Sequence, residues 1–314
     1  MSNPIIVHSI PVNKEVCGGI KVHYQLAMLE KELGYDSFIV YDDNDATSVK
    51  WFDHTCTEYT LQHFKHDILK ERNQKVFLLI GWEEPSSLDI LPGLVEHKVA
   101  YIQGHVYFKG KAAYKDVDLW FNSRYVKHIC NAEGMVIPPY LDGHFINGTR
   151  PIWKYFKHRH RLLIQERKQG KEAWEKVVQY LPALILDKLD VVILPNVDEL
   201  LFRDELKASD IFFAHSFPEG FGLPPLEAMS TGTLVVGYTG GGGSDFMEDN
   251  RNCFIAPDGD SEAVAKHIIN ILSPKYHNTH EILINAYRTA LYYNKSITKD
   301  LLGIALEEYT DGKQ

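Results

Sequence analysis

Short apolar runs alternate with stretches of helical periodicity along this chain, and the alternation stops near the middle and restarts. Such a pattern predicts parallel strands joined by helical crossovers, because parallel neighbours cannot be linked by a tight turn. Pro4 to Ile10 (PIIVHSI) reads as a strand. Val22, Leu26, Leu29 and Leu33 recur at helical spacing, and Gly34 ends that helix. Strands are expected over 38–41, 76–80, 99–103 and 119–123, then over 135–142, where Pro138 and Pro139 break the run. The second half repeats the scheme, with strands at 160–165, 189–195, 210–216, 233–238 and 253–257. Its helices are expected at 172–180, 199–208 and 262–272, with Ser261 as cap of the last. The fold class this implies is α/β, with two doubly wound Rossmann-like domains facing across a cleft at the strand C-termini. The boundary falls at 145/146 within a linker near 142–157, and the last helix has room to pack back on the first domain. At 314 residues, each domain is long enough to bury a core of its own.

Within that frame, FPEGFGLPPLEAMSTGTLVV (Phe217 to Val236) carries the chemistry. Gly220, Gly222, Pro224 and Pro225 interrupt any helix before Pro224, where proline is tolerated because first-turn N–H groups have no intrahelical partner. The N–H groups of Phe221, Gly222 and Leu223 are thus left in a Gly-rich loop opening a helix, an arrangement suited to phosphate. Glu219 and Glu227 flank it; Glu227 is expected in the helix's first turn, and its role is to accept hydrogen bonds from sugar hydroxyls. Phosphate-binding backbone beside two such carboxylates points to a nucleotide-sugar site.

Composition narrows the classes. Lys and Arg total 33 against 42 Asp and Glu, which argues against nucleic acid as the main partner. Cys17, Cys56, Cys130 and Cys253 are scattered, with no pair at metal-ligand spacing, so a reduced, cytoplasmic protein is expected. Met1 to Ile10 is no signal peptide, and no apolar run nears the roughly 18 residues that span a bilayer. The sequons at Asn147 and Asn294 therefore carry no weight. Asp-x-Asp tripeptides at Asp43/Asp45, Asp116/Asp118 and Asp258/Asp260 are read as turns and strand starts, with no metal and no cofactor expected.

Glu219 to Val236 resembles the E-x7-E segment of glycosyltransferase family 4, retaining nucleotide-sugar enzymes of the GT-B fold. VCGGIKVHYQLAMLEKELGYDSFIVY and DLWFNSRYVKHICNAEGMVIPPYLD are similar to other stretches of that family, more loosely. The resemblance implies that Glu219 contacts the donor sugar, Glu227 the ribose, and the backbone from Gly220 to Leu223 the distal phosphate. It further implies base readout near Pro195 and Asn196, a sugar contact from His105, and retention at the anomeric carbon. The family places an Arg followed by a Lys after the strand that opens the second domain. Here the sequence is RKQGK, so Arg167 fits the first and either Lys168 or Lys171 the second. Their positive charge suits a developing diphosphate leaving group. Gly18 and Gly19, after the first strand, are placed to approach the diphosphate.

A second Gly-rich loop, Gly240 to Gly243, suggests close backbone approach to a ligand or a mobile lid. The family commonly carries a Glu near its end, whereas Asp245 stands nearest here. The reading is hexosyl transfer from a UDP- or GDP-linked sugar, UDP favoured, to a carbohydrate or lipid-linked acceptor, compatible with peripheral membrane contact. Two rivals stay open: a nucleotide-sugar 2-epimerase, and a non-catalytic nucleotide-sugar-binding protein.

Overall fold

The structure is a computed structural model that describes residues 3–11, 16–41, 49–71, 74–146, 159–273 and 279–311. Asp43, Asp45, Asn147 and most of the expected linker lie outside the described residues. The chain divides into unit 1, Met1–Tyr140 with Lys295–Gln314, and unit 2, Leu141–Asn294.

Seven strands form the sheet of unit 1: β1 (Ile5–Ile10), β2 (Asp36–Tyr41), β3 (Thr57–Thr60), β4 (Val76–Gly81), β5 (Val95–Ile102), β6 (Asp118–Phe121) and β7 (Met135–Val136). Their order is β3-β2-β1-β4-β5-β6-β7, every pair parallel. All six residues of β1 and of β4 are buried, as strands covered on both faces must be. The strand expected over 135–142 is reduced to β7, because Pro138 and Pro139 have no N–H to give a ladder.

Helix α1 (Gly18–Glu32) packs Val22, Leu26 and Leu29 onto Ile6, Leu78 and Ile80. Helices α2 (Leu61–Phe64) and α3 (Arg124–Ile129) are short, each N-capped by a hydroxyl, from Thr60 and Ser123.

After α4 (Gly143–Ile146), the sheet of unit 2 contains β8 (His160–Gln165), β9 (Leu189–Leu194), β10 (Ile211–Ala214), β11 (Leu234–Gly237) and β12 (Phe254–Ile255). The order is β12-β11-β10-β8-β9, all parallel. Crossovers are α5 (Gly170–Val178), α6 (Ala183–Leu186), α7 (Glu199–Ala208) and α8 (Leu223–Ser230), and α9 (Ser261–Ile271) follows the last strand. The cap of α9 is Asp260, whose carboxylate accepts the N–H of Ala263 at 2.9 Å; Ser261 is the first helical residue. A carboxylate at this position also suits the helix dipole. Helix α10 (Thr279–Tyr292) completes unit 2, burying Ile282 and Leu283 in its core. Helix α11 (Lys295–Asp311) belongs to unit 1, where Leu302, Ala305, Leu306 and Tyr309 join the cluster around Ile6 and Trp120.

Candidate functional site

Strands β8 and β10 are neighbours, with Leu162 opposite Ile211 and Leu163 opposite Phe212. The strand order of unit 2 reverses between them. Open α/β sheets bind ligands at such a reversal, beyond the carboxyl ends of the strands, where the two loops part. A pocket with about 310 Å³ of empty space, part of it open to solvent, lies there. Gln165, Ala214, His215, Ser216, Glu219, Gly222, Pro224, Pro225, Tyr238 and Thr239 are among its lining residues.

Beyond β8 the backbone makes a tight turn. The N–H of Gly170 donates to the carbonyl of Glu166 at 3.2 Å, while Lys168 (φ 54°) and Gln169 (φ 64°) take left-handed conformations. A Cβ at Gly170 would lie 1.8 Å from the carbonyl oxygen of Gln165, so glycine is required to enter α5 at this angle. The turn sends Lys168 towards Glu219, Nζ to Oε1 at 2.6 Å. Such a partly exposed pair is worth under about 1 kcal/mol. Its meaning is positional, since it places a cation and a carboxylate from different loops at one point. Of the two lysines left open by RKQGK, Lys168 makes this contact, and Lys171 is exposed on α5. Arg167 is half-buried, and its guanidinium has no ion-pair partner among the described residues.

Glu219 is held through its own backbone. Its N–H donates to Gly240 at 2.7 Å, and its carbonyl accepts from Gly242 at 3.0 Å. A Cβ at Gly240 would lie 2.6 Å from the carbonyl oxygen of Ser216, and one at Gly242 would lie 2.2 Å from the carbonyl of Gly220. The close approach that four consecutive glycines call for is therefore to the chain's own Glu219 loop. Asp245 closes the 3-10 turn Gly242–Asp245, and its carbonyl accepts from the Tyr293 hydroxyl at 3.3 Å.

Gly222 is the N-cap of α8, with φ 89°, and Leu223 is its first residue. Pro224 and Pro225 follow and have no N–H to offer. Among the described residues the N–H groups of Phe221, Gly222 and Leu223 donate to no protein acceptor, leaving three donors at a helix N-terminus. Glu227 is consequently the fifth helical residue, outside the first turn, because left-handed Gly222 starts the helix before the prolines. It is buried, at 7% exposure, and does not line the pocket. Pro195 and Asn196 are exposed beyond β9, at the sheet edge next to β8.

Unit 1 carries Gly18, Gly19 and His105. Gly18 and Gly19 are the first two residues of α1, not a turn before it, and Cys17 as N-cap gives no side-chain hydrogen bond. The Gln103 side chain donates to the Gly19 carbonyl at 3.0 Å, tying the end of β5 to the start of α1. His105 opens a 3-10 turn two residues on, its ring edge-on to Tyr125 at 5.7 Å. Glu83 is buried nearby, where desolvation raises its pKa, and it accepts the Gln103 N–H at 2.9 Å. Asp118 begins β6 and Asp260 caps α9, while Asp258 accepts the N–H of Gly240 at 3.1 Å. Among the described residues no cluster of three or more His, Cys, Asp or Glu could hold a metal ion. No described helix is long and apolar enough to cross a membrane.

His215, Ser216 and Tyr238 were not singled out in the sequence, although each follows or ends an expected strand, the place where ligands bind in such sheets.

Residues 164–274 match the family model for glycosyl transferases group 1. No curated protein matches the chain by sequence. The Anabaena protein HepE, in complex with UDP and glucose, superposes with a TM-score of 0.71 at 14% identity, covering 97% of this chain and 100% of HepE. Sucrose-phosphate synthase from Thermosynechococcus elongatus gives 0.76 at 14% identity, covering 99% and 100%. The lipopolysaccharide outer core galactosyltransferase WaaB, in its apo form, gives 0.71 at 12% identity, covering 97% and 99%. The chain thus has the GT-B glycosyltransferase fold, and the part of it that carries Glu219 and Glu227 matches the glycosyl transferases group 1.

Proposed function

We propose that this chain moves a hexosyl unit from a nucleoside-diphosphate sugar to an acceptor hydroxyl, with retention and without a metal. The observation that carries the reading is the meeting of Lys168 and Glu219 beside three free backbone N–H groups, at the point where the unit 2 sheet reverses. Phe221, Gly222 and Leu223 are assigned to the distal phosphate, with Gly220 shaping their loop. Arg167 and Lys168 take the charge that develops as the diphosphate leaves. Glu219 holds the sugar, Glu227 the ribose, and Pro195 and Asn196 border the base. In unit 1, Gly18 and Gly19 are assigned to the diphosphate and His105 to the sugar, as the family resemblance implies. UDP is favoured because HepE binds it. The acceptor class is carbohydrate or lipid-linked, assigned to unit 1 with peripheral membrane contact, and the four free cysteines suit the cytoplasm.

Incubation with UDP- and GDP-hexoses and an acceptor series, with excess chelator present, tests this. Nucleoside diphosphate release should stay within about twofold of the chelator-free rate, since fixed cations do the work of a bound one. Activity lost to chelator and restored by Mg²⁺ or Mn²⁺ would contradict the metal-free part. Conversion of the donor to its 2-epimer, or binding with no diphosphate release, would point to the two rival functions.

A further inference from the structure

His215 ends the β10 run, buried at 4% exposure, and lies against the β8 loop. Its Nε2 is 2.8 Å from the carbonyl oxygen of Arg167. A carbonyl only accepts, so Nε2 carries the proton and donates. Among the described residues no other donor reaches that carbonyl. The Arg167 carbonyl begins the turn in which Lys168 and Gln169 are left-handed, a conformation that crowds the Cβ of any residue other than glycine. Two successive residues in it require fixing from outside. Gly170 holds the far end of the turn, where a Cβ would meet Gln165 at 1.8 Å and the His215 ring at 3.0 Å. His215 holds the near end.

We propose that His215 is a positioning residue, which sets the Arg167–Lys168 turn so that Lys168 meets Glu219. This rests on the reading of that site as a nucleoside-diphosphate-sugar site and names what fixes its cationic side. The imidazole joins the two loops whose side chains meet, because β10 leads into the Glu219 loop and β8 into the Lys168 turn. When His215 no longer donates, the Arg167 carbonyl has no partner and the turn relaxes. Lys168 then loses its fixed approach to Glu219 while the sheet beneath keeps its packing. Loss should appear in diphosphate binding and in turnover, with little change in folding.

Five variants test it: His215→Phe, which keeps a ring but has no donor; His215→Gln, whose amide can donate to the same carbonyl; Lys168→Ala; and Lys168→Ala combined with each of the first two. Calorimetric titration is made with whichever of UDP, GDP and ADP the wild type binds, together with thermal unfolding. His215→Phe should bind the nucleotide about tenfold or more weaker, His215→Gln within about threefold of wild type, as the loss and return of one hydrogen-bonded constraint require. In the Lys168→Ala background the His215→Phe loss should shrink, because both act through one turn. Equal affinity in wild type and His215→Phe, or no rescue by glutamine in a folded variant, overturns the inference and leaves the site reading intact. A wild type that binds none of the three nucleotides overturns the site reading and this inference with it.

Discussion

Gly242→Ala should severely disturb the loops around Glu219. The added Cβ would sit 2.2 Å from the carbonyl carbon and oxygen of Gly220 and 2.4 Å from the Phe221 nitrogen. All three are backbone atoms, so no side-chain rotation relieves the clash. Either the Gly240–Gly243 loop or the Glu219–Phe221 loop must move, and both hydrogen bonds joining Glu219 to Gly240 and Gly242 go with it. Overpacking of this kind costs about 1–3 kcal/mol or more, equivalent to a drop of several degrees in the melting temperature of a unit this size. Affinity for a nucleoside diphosphate should fall by more than about tenfold, since the N–H groups proposed to hold its phosphate are displaced. Gly222→Ala is the comparison. Gly222 has φ +89°, but no atom lies nearer than 3.8 Å to its added Cβ, so strain alone opposes the change. Thermal unfolding and nucleotide titration of both variants check this; a Gly242→Ala protein that melts and binds like wild type would restore the mobile-lid reading of the four glycines.

Acidification should destabilise unit 1 from about pH 6.5 downward, well above the range in which ordinary carboxylates titrate. His8 on β1 and His23 on α1 face each other, Nδ1 to Nδ1 at 3.0 Å, both completely or almost completely buried. On its other side His8 Nε2 meets Glu30 at 2.9 Å, and the Ser37 hydroxyl donates to the same carboxylate at 2.6 Å. Tyr101 stands edge-on to His23 at 5.7 Å, its hydroxyl donating away to Ile137. One proton between the two Nδ1 atoms makes a hydrogen bond; a second would set two N–H donors against each other. Burial, and then the charge of His8, hold the His23 pKa well below its ordinary value.

The unfolded chain therefore takes up a proton on His23 that the folded chain refuses. Stability is full above about pH 6.5 and is lost as the pH falls towards the folded pKa, by about 1.4 kcal/mol per pH unit for that proton. Melting of the protein followed from pH 7.5 to 5.5, with hydrogen exchange to locate the loss in β1 and α1, should show it. A melting temperature unchanged across that range would refute it.

What could be read from the sequence, and what could not, divides along the range of the interactions. Helix α7 is found where its apolar spacing places it, with Asp198 accepting the N–H of Leu201 as cap. β4, β8 and β9 are short apolar runs that declare themselves. β3, TEYT, has no such run and is a half-buried edge strand defined by pairing with β2, so nothing local marks it. His8 reads as a polar interruption in a buried strand until α1 folds over and brings His23 and Glu30 to it, 15 and 22 residues on. The placing of Glu219 beside the Gly-rich entry to α8 was legible, because GFGLPP can open a helix only near its prolines. The role of Gly240 to Gly243 was not, because close approach demands glycine whether the neighbour is a ligand or the chain itself. His215 acts through a carbonyl 48 residues away in sequence, which leaves no local trace.

The division of labour between the two glutamates is the most direct test of the donor site. Free nucleoside diphosphate should be titrated calorimetrically into wild type, Glu219→Gln and Glu227→Gln, with donor kinetics measured on all three. Glu227 is assigned to the ribose, which does not react, so its loss should weaken diphosphate binding by about 1.5–3 kcal/mol per charge-assisted hydrogen bond. Glu219 is assigned to the sugar, where contacts strengthen as charge develops, so Glu219→Gln should lower kcat and leave diphosphate affinity nearly unchanged. Equal loss of diphosphate affinity in both variants, or no loss in either, would contradict the assignment of this segment as a nucleotide-sugar site with separate ribose and sugar carboxylates.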